Sequence, residues 1–186
     1  MNCDDEDRLP SRLLRAIENN DLISMPSLLE QLKQHRTWTE FFNYLQPRLC
    51  ISPEIKDLFH THWTECGHII RQCVANDVQL VVALKVVLPR YRGPELLLYR
   101  GESVERWKAG QLGLCWTTQQ ATAQIFACGL NAIEPYGGVM LSALAAEASI
   151  IASPGAHSNW LGEAEYVVDP SRLTEIKPLE FHPASH

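Results

Sequence analysis

The chain has 186 residues, of which 46% are hydrophobic, and 22 acidic residues against 16 lysines and arginines give a net charge of −6. This length suffices for one domain, or for a small helical segment and a slightly larger domain, with a sizeable core. The acidic balance and the lack of a dense basic run argue against a nucleic-acid partner. The acidic start and the lack of a long apolar stretch predict a cytoplasmic protein without a secretory signal or membrane span.

The cysteines predict reduced thiols. They lie at positions 3, 50, 66, 73, 115 and 128, without C-x-x-C spacing. Such scattered cysteines are typical of a cytosolic protein and not of a disulfide framework.

The first part of the chain has the periodicity of helices. Apolar residues recur at helical spacing from Leu13 to Ile17 and from Met25 to Leu32, where Ser24 supplies a cap. A third helix is predicted from Trp38 to Leu45.

Ser52 and Pro53 provide a cap and a first-turn proline for the longest periodic stretch. Its apolar stripe consists of Ile55, Leu58, Phe59, His62, Cys66, Ile69, Ile70 and Cys73. The valine-rich stretch from Val78 to Leu88 has the length of a helix and exceeds that of most buried strands, so a helix is predicted there as well.

From Glu95 onward, short apolar runs broken by glycine and proline predict strands. These runs are Leu96–Tyr99, Leu114–Thr117, Val139–Leu141 and Tyr166–Val168. A helix is predicted between them, from Gln119 to Cys128. The predicted fold class is α+β, with a helical segment, residues 1–75, packed on a mostly β domain, residues 76–186.

Three segments of the β portion occur in a telling order. Tyr99-Arg100-Gly101 is predicted to end one strand, Trp116-Thr117-Thr118 ends another, and Gly162 to Val168, with Glu163 and Glu165, enters a third. Together they resemble the arginine, serine/threonine, glutamate arrangement of the ADP-ribosyltransferase superfamily, in the branch whose last motif is Glu-x-Glu. The resemblance spans roughly Leu88 to Pro170.

The sequence around these motifs is also similar to that family. The flanking features are Leu88-Pro89-Arg90-Tyr91, Gly110 and Gly113, and Ala123 followed by Phe126-Ala127. The resemblance implies a split β-sandwich core and a mono-ADP-ribosyltransferase. Such an enzyme takes NAD⁺ as co-substrate, modifies a side chain of a target protein, releases nicotinamide and needs no metal.

The chemistry of this reaction fits two of the motif residues. Breaking the bond between nicotinamide and ribose leaves a cationic, oxocarbenium-like sugar, so the site needs a carboxylate near the ribose and a cationic donor on the diphosphate. Glu165 and Arg100 have these charges. In the family the final glutamate holds the ribose 2′-hydroxyl, which implies that Glu165 is the central catalytic residue.

The resemblance also assigns the residues that bind NAD⁺. Arg100 would grip the phosphates, because a planar guanidinium matches phosphate oxygens. Gly101 would let the nicotinamide amide approach the backbone, and Tyr99 and Thr118 flank this site. Thr117 matches the family's serine, whose hydroxyl orients the catalytic carboxylate.

Glu163 lies two residues before Glu165, so in a strand both side chains would point to the same face. In the family the earlier glutamate goes with an arginine acceptor, because a carboxylate orients the guanidinium. The loop of residues 153–162 corresponds to the family's substrate-recognition turn, in which Trp160 and Asn159 are expected to contact the target protein. A small enzyme of this kind suggests a toxin-like effector acting in a microbial or viral conflict.

The sequence departs from the family pattern in two places. The family's Ser-Thr-Ser becomes Thr117-Thr118-Gln119, and Tyr91-Arg92-Gly93 duplicates the arginine tripeptide upstream. The strand-like run Leu96–Leu98 favours Arg100 over Arg92, because Gly93-Pro94 is typical of a turn.

Structural explanations exist for each motif residue taken singly. Arg100 and Glu165 would form an ion pair, or Glu163 and Glu165 would lie on a solvated strand face. A zinc site formed by His60, His62, His68, Cys66 and Cys73 is a further alternative. The apolar stripe that contains three of these five residues argues against it.

A second functional class is an inactive interaction or inhibitor protein with the same fold. It would bind its partner through the Trp160 loop or through the helical part.

Overall fold

The computed structural model of the protein describes residues 8–46 and 49–184. The chain divides between Pro89 and Arg90 into two compact units. This boundary lies later than the predicted one, because the last helix of the first part belongs with the helices before it. Within the described ranges, no helix is long and apolar enough to cross a membrane.

The described part of the first unit contains five α-helices, and they confirm the five helices predicted from the sequence. They are α1 (Leu9–Glu18), α2 (Met25–His35), α3 (Trp38–Tyr44), α4 (Pro53–Val74) and α5 (Asp77–Val87). Side-chain bonds tie α5 to its predecessors. Gln79 Nε2 donates to Asn43 Oδ1 at 2.6 Å, and Arg71 forms an ion pair with Asp77 at 2.6 Å.

One of the two predicted helix caps is confirmed. Ser52 Oγ accepts a hydrogen bond from the Ile55 amide at 3.4 Å and caps α4. Ser24 occupies the cap position of α2, but its side chain forms no capping hydrogen bond. Asp21 Oδ1 instead accepts from the amides of Ile23, at 3.2 Å, and Ser24, at 3.1 Å. The Asp21 carboxylate therefore stabilises the turn that leads into α2.

The core of the first unit is aromatic where α3 meets α4. The Trp38 ring lies 5.6 Å from Phe42 and 5.5 Å from His62, and Phe41 stacks on Phe59 at 5.9 Å. Five members of the predicted α4 stripe are buried, namely Ile55, Phe59, His62, Cys66 and Ile70. The other three, Leu58, Ile69 and Cys73, are partly buried. The stripe predicted from the sequence thus faces the core.

Within residues 90–184, the second unit contains six strands and three short α-helices. The strands are β1 (Leu96–Ser103), β2 (Cys115–Thr117), β3 (Gly138–Ala145), β4 (Ile150–Ala152), β5 (Glu165–Val168) and β6 (Thr174–His182). The helices are α6 (Val104–Lys108), α7 (Gln120–Cys128) and α8 (Ala156–Trp160). The four predicted strands and the helix before Cys128 are confirmed. The prediction that β1 ends at Gly101 is wrong, because pairing with β3 continues to Ser103.

The strands form one open antiparallel sheet in the order β4-β5-β2-β1-β3-β6, which confirms the α+β class. Strand β1 pairs with β3 along its whole length. It shares with β2 a single registered pair, Tyr99 opposite Thr117. The middle of the sheet is therefore a narrow junction with three strands on each side.

The two faces of the sheet pack differently. On one face, Ala123 and Ala127 of α7 form a small cluster with Met140, against which Tyr99 packs. The other face holds the main core of this unit, which includes Leu98, Trp116, Leu141 and Val168. Leu98 and Tyr99 are consecutive, so the two faces follow the alternation of β1.

Replacing Leu98 by alanine is expected to lower the free energy of unfolding by about 2–5 kcal/mol, because it leaves a cavity in the main core. Leu98 is fully buried, whereas Leu97 is 48% exposed. Leu97→Ala removes the same atoms from the same strand and is expected to cost about 1 kcal/mol or less. Urea unfolding of both variants measures the difference, and equal losses would contradict the assignment of faces.

Candidate functional site

Three of the predicted site residues form a row across the middle of the sheet. Tyr99 in β1 lies opposite Thr117 in β2, and Thr117 lies opposite Glu165 in β5. Residues directly opposite each other on neighbouring strands project from the same face. Three segments far apart in sequence therefore bring these side chains together.

Arg100 follows Tyr99 in β1, so its side chain projects from the other face. There its Nε donates to Glu102 Oε2 at 2.9 Å, and its Nη1 donates to the Cys115 carbonyl oxygen at 2.5 Å. The ion pair of Arg100 is thus with Glu102 and not, as the structural alternative predicts, with Glu165. Through Cys115 the guanidinium also links β1 to β2.

Glu102 is the centre of a buried network that the sequence analysis missed. The residue is 1% exposed, and its Oε2 also accepts from the Gly113 amide at 2.9 Å. Its Oε1 accepts from the Ser103 amide at 3.1 Å and lies 3.2 Å from Arg106 Nε. A side chain at Gly113 would overlap the Arg100 guanidinium. The glycine that resembled a family feature therefore makes room for this arginine.

The charges of this network stabilise each other. Burial alone would raise the pKa of Glu102, but Arg100, Arg106 and the Gly113 amide outweigh burial and hold that pKa below its usual value. Burial opposes the charge of Arg100 too, yet Glu102 raises the pKa of Arg100 overall. Glu165 contributes to this increase. The carboxylate of Glu165 therefore acts electrostatically on Arg100 from its place in the row.

Helix α7 packs closely against the backbone of Gly101. A Cβ at this position would lie 2.6 Å from the Ala123 carbonyl oxygen and would overlap the Ala127 amide. The Gly101 carbonyl accepts a hydrogen bond from Asn131 Nδ2 at 3.1 Å. The close approach that this glycine permits is thus that of a helix, and the nicotinamide contact stays a prediction.

The threonines next to this network differ in exposure. Thr117 is 6% exposed, and its Oγ1 accepts from the Gln119 amide at 3.1 Å, whereas Thr118 is exposed.

The upstream arginine of the duplicated tripeptide, Arg92, is exposed and precedes β1. Of the two arginines, Arg100 is therefore the one in a strand, as predicted.

Helix α8 ends immediately before the two glutamates. Gly162 has a φ of 76°, its amide donates to the Asn159 carbonyl at 3.1 Å, and the Glu163 amide donates to the Ser158 carbonyl at 3.0 Å. This pair of bonds around a left-handed glycine is the Schellman ending of a helix. The backbone at Glu163 is therefore held by the helix that precedes it.

Glu163 lies in this turn and not in a strand. Strand β5 begins at Glu165, and Ala164 between the glutamates has a φ of 45°. The side-chain alternation of an extended strand does not apply across such a residue. The prediction that Glu163 and Glu165 share a strand face is therefore wrong in its premise.

Ser158 is a further residue that the sequence analysis missed. Its side chain is fully buried, and its Oγ accepts from the Glu165 amide at 2.7 Å. Two residues later on α8, Trp160 is 79% exposed and stacks on His157 with ring centroids 5.7 Å apart. Asn159 is exposed as well. The expected target-recognition residues thus lie on a short helix at the surface.

Of the residues considered for zinc, His60, His62 and Cys66 are buried in the core of the first unit, whereas Cys73 is partly buried and His68 is exposed. Burial lowers the pKa of His60 and His62 and raises that of the Cys66 thiol to about 11. Cys66 Sγ donates to the His62 carbonyl at 3.0 Å. In residues 8–46 and 49–184, no three histidine, cysteine or acidic side chains are grouped as a metal site requires.

No protein-family model matches the chain, and searches among curated proteins and among solved structures find no match. The function must therefore be inferred from the motif residues and their geometry.

The Glu102 network predicts a pH-dependent stability. Glu102→Gln leaves two arginines without their carboxylate, and breaking a buried ion pair costs about 3–5 kcal/mol. Because the pKa of Glu102 is lowered in the folded state, its contribution is fully present above the ordinary glutamate pKa of about 4.3 and is lost as the pH falls below it. Urea unfolding between about pH 7 and pH 3 measures the difference between wild type and variant, which is expected to shrink on acidification.

The control for this experiment is Glu105→Gln, the same change at an exposed position in the next helix. It is expected to alter the free energy of unfolding by about 0.5 kcal/mol or less at every pH. A loss in Glu102→Gln that stays constant with pH would contradict the role of the carboxylate charge.

Gly162→Ala is expected to destabilise the protein by about 1–2 kcal/mol, because alanine is disfavoured in a left-handed conformation. Gly110, with a φ of 69°, ends α6 with the same bonding pattern, and a Cβ at either glycine meets open space. Gly110→Ala is thus a matched control with the same expected loss. Amide exchange separates the two, since only Gly162→Ala is expected to speed exchange at Glu163. Faster exchange at Glu163 in both variants would contradict the local assignment.

Proposed function

We propose that the protein is a mono-ADP-ribosyltransferase that transfers ADP-ribose from NAD⁺ to a side chain of a target protein and releases nicotinamide. The observation that supports this most is the row of Tyr99, Thr117 and Glu165 at the centre of the sheet. The Arg100 side chain projects from the other face at the same junction of β1 and β2, and the Glu165 carboxylate still favours its charge. The motif order along the chain becomes an arrangement on three neighbouring strands.

Glu165 is the proposed group that faces the sugar cation. When nicotinamide leaves with the electron pair of the glycosidic bond, positive charge develops on the ribose. A carboxylate already in place stabilises this charge without reorganising during the reaction. The Glu165 backbone is held by Ser158 Oγ on one side and by pairing with Thr117 on the other.

Thr117 is the proposed neighbour that orients this carboxylate. Its Oγ1 accepts from the Gln119 amide, and a hydroxyl has one proton to donate. That proton is available for the Glu165 carboxylate or for a ribose oxygen. The role fits a residue next to Glu165 in the row.

Arg100 is the proposed anchor for the diphosphate. Arg100 and Arg106 both form ion pairs with one carboxylate, Glu102. The Arg100 side chain is 19% exposed. A cationic group with a planar fork at this place suits the doubly charged diphosphate of NAD⁺.

The narrow junction between β1 and β2 supports the split β-sandwich form of the core. A single registered pair joins the two halves of the sheet at the position of the proposed site. Strands so weakly joined can diverge, and a dinucleotide would lie where they do. We propose the junction between β1 and β2 as the NAD⁺ site, with Tyr99, Gly101 and Thr118 at its edges.

An arginine is the proposed acceptor. Glu163, partly buried in the turn before β5, would orient the incoming guanidinium. Trp160 and Asn159, exposed on α8, would contact the target protein.

Two observations favour a second candidate, an inactive binding protein. Two donor groups of Arg100 are engaged by Glu102 and Cys115, and the Gly101 carbonyl already accepts from Asn131. Both groups are those that the family would use for NAD⁺. In such a protein the exposed Trp160 would bind a partner without turnover.

The first test is incubation with NAD⁺ labelled in the nicotinamide. Wild type is expected to release nicotinamide, and Glu165→Gln is expected to slow release about 100- to 1,000-fold, as for other preorganised electrostatic groups. Glu134→Gln is the matched control, because Glu134 is exposed and outside the proposed site. Equal rates in Glu165→Gln and wild type would remove Glu165 from the mechanism.

The same samples distinguish the second candidate. An inactive binding protein is expected to show no release of nicotinamide and no rise in melting temperature with NAD⁺. Its partner would remain bound after Glu163 and Glu165 are both replaced by alanine.

A further inference from the structure

Helix α8 has a buried side and a surface side two residues apart. Ser158 is fully buried, and Trp160 is 79% exposed. The same helix therefore combines an exposed aromatic residue with a side chain that reaches the segment of the two glutamates.

Ser158 makes two different hydrogen bonds to this segment. Its carbonyl accepts from the Glu163 amide at 3.0 Å, and its Oγ accepts from the Glu165 amide at 2.7 Å. The first bond belongs to the ending of α8, which any residue at this position would supply. The second needs a side chain that is small, buried and able to accept, as serine is.

The backbone conformation of the residue between the glutamates is unfavourable and needs support from its surroundings. Ala164 has a φ of 45°, a conformation that costs an alanine roughly 1–2 kcal/mol. Such a conformation persists when its surroundings determine it. Ser158 holds the backbone on both sides of Ala164 and so determines the turn.

We propose that Ser158 is a positioning residue that sets where the carboxylates of Glu163 and Glu165 lie. The effect on turnover rests on the proposed function, whereas the effect on the backbone does not. Without the hydroxyl, the Glu165 amide loses its acceptor and the turn relaxes. The Glu165 carboxylate then departs from the place at which it faces the ribose, and precise placement is what such a residue contributes.

The experiment compares Ser158→Ala with Ser149→Ala in the full chain. Ser149 is an equally buried serine of the same unit, 1% exposed, whose Oγ donates to the Ala146 carbonyl at 2.7 Å. Both variants lose one hydrogen bond of a buried hydroxyl, but only one of these bonds reaches Glu165. Three quantities are measured, namely amide exchange at Glu165, the kcat of NAD⁺ hydrolysis and its KM.

Ser158→Ala is expected to speed exchange at Glu165 about tenfold or more and to lower kcat about tenfold, the size of one lost buried hydrogen bond. KM for NAD⁺ is expected to stay within about twofold, because the diphosphate contacts are unchanged. Ser149→Ala is expected to leave all three quantities near those of wild type. If the hydroxyl of Ser158 only stabilises the fold, Ser158→Ala lowers the melting temperature as Ser149→Ala does and leaves kcat unchanged, which would overturn the proposal.

Failure of the proposed function is recognised separately. If wild type releases no nicotinamide, the proposed enzyme is wrong, and amide exchange alone decides whether Ser158 positions the turn. Unchanged exchange at Glu165 in Ser158→Ala overturns the proposal in either case. If Ser158→Ala does not fold, Ser158→Cys is used, because cysteine is similar in size and its sulfur is a weaker acceptor. Ser158→Cys is also expected to speed amide exchange at Glu165 and to lower kcat.

Discussion

The buried carboxylate of Glu102 is the interaction on which the middle of the sheet depends. Strands β1 and β2 share one registered pair, so other contacts must hold them together. Glu102 accepts from the Gly113 amide, and its partner Arg100 donates to the Cys115 carbonyl. Both bonds connect β1 to the chain at the start of β2. The row that contains Glu165 is therefore aligned by a network on the opposite face of the sheet.

In the proposed enzyme, two different interactions would compete for the guanidinium of Arg100. Its guanidinium holds the strands together, and in the proposed enzyme it also attracts the diphosphate of NAD⁺. A second guanidinium, Arg106, also pairs with Glu102, so in the proposed enzyme this carboxylate would keep one arginine partner while Arg100 binds the diphosphate.

Much of the fold could be predicted from the sequence, because it follows local patterns. The sequence predicted α1 to α5, the last of them from the length of its valine-rich stretch, and apolar runs predicted β1, β2, β3 and β5. Strand β6 was missed because almost all of it is exposed, so it lacks the alternation of a half-buried strand. Strand β4 has three residues, too few for a pattern.

The site was predictable in its residues but not in its geometry. The motif order predicted that Arg100, Thr117 and Glu165 belong to one site. It did not predict that Arg100 pairs with Glu102 and packs against Gly113, which precedes β2. A strand-like reading of Glu163 and Glu165 failed because the φ of Ala164 is not apparent from its residue type. Ser158 resembled any other loop serine until its contact with the Glu165 amide was known. The one sign of the buried Glu102 network in the sequence was the presence of an acidic residue at a position of β1 that alternation with Leu98 and Arg100 places on the core side.

The two outer strands of the sheet are poor templates for pairing with a second copy of the protein. Strand β6 forms one edge, and it contains Pro178 and the charged Lys177 and Glu180 as well as shifts in its register with β3. Proline, charge and irregular pairing all discourage a foreign strand from adding to an edge. The opposite edge, β4, offers three residues. Few backbone N–H and C=O groups at either edge are therefore free to pair with a strand of another molecule. Aggregation by extension of the sheet is disfavoured at both edges.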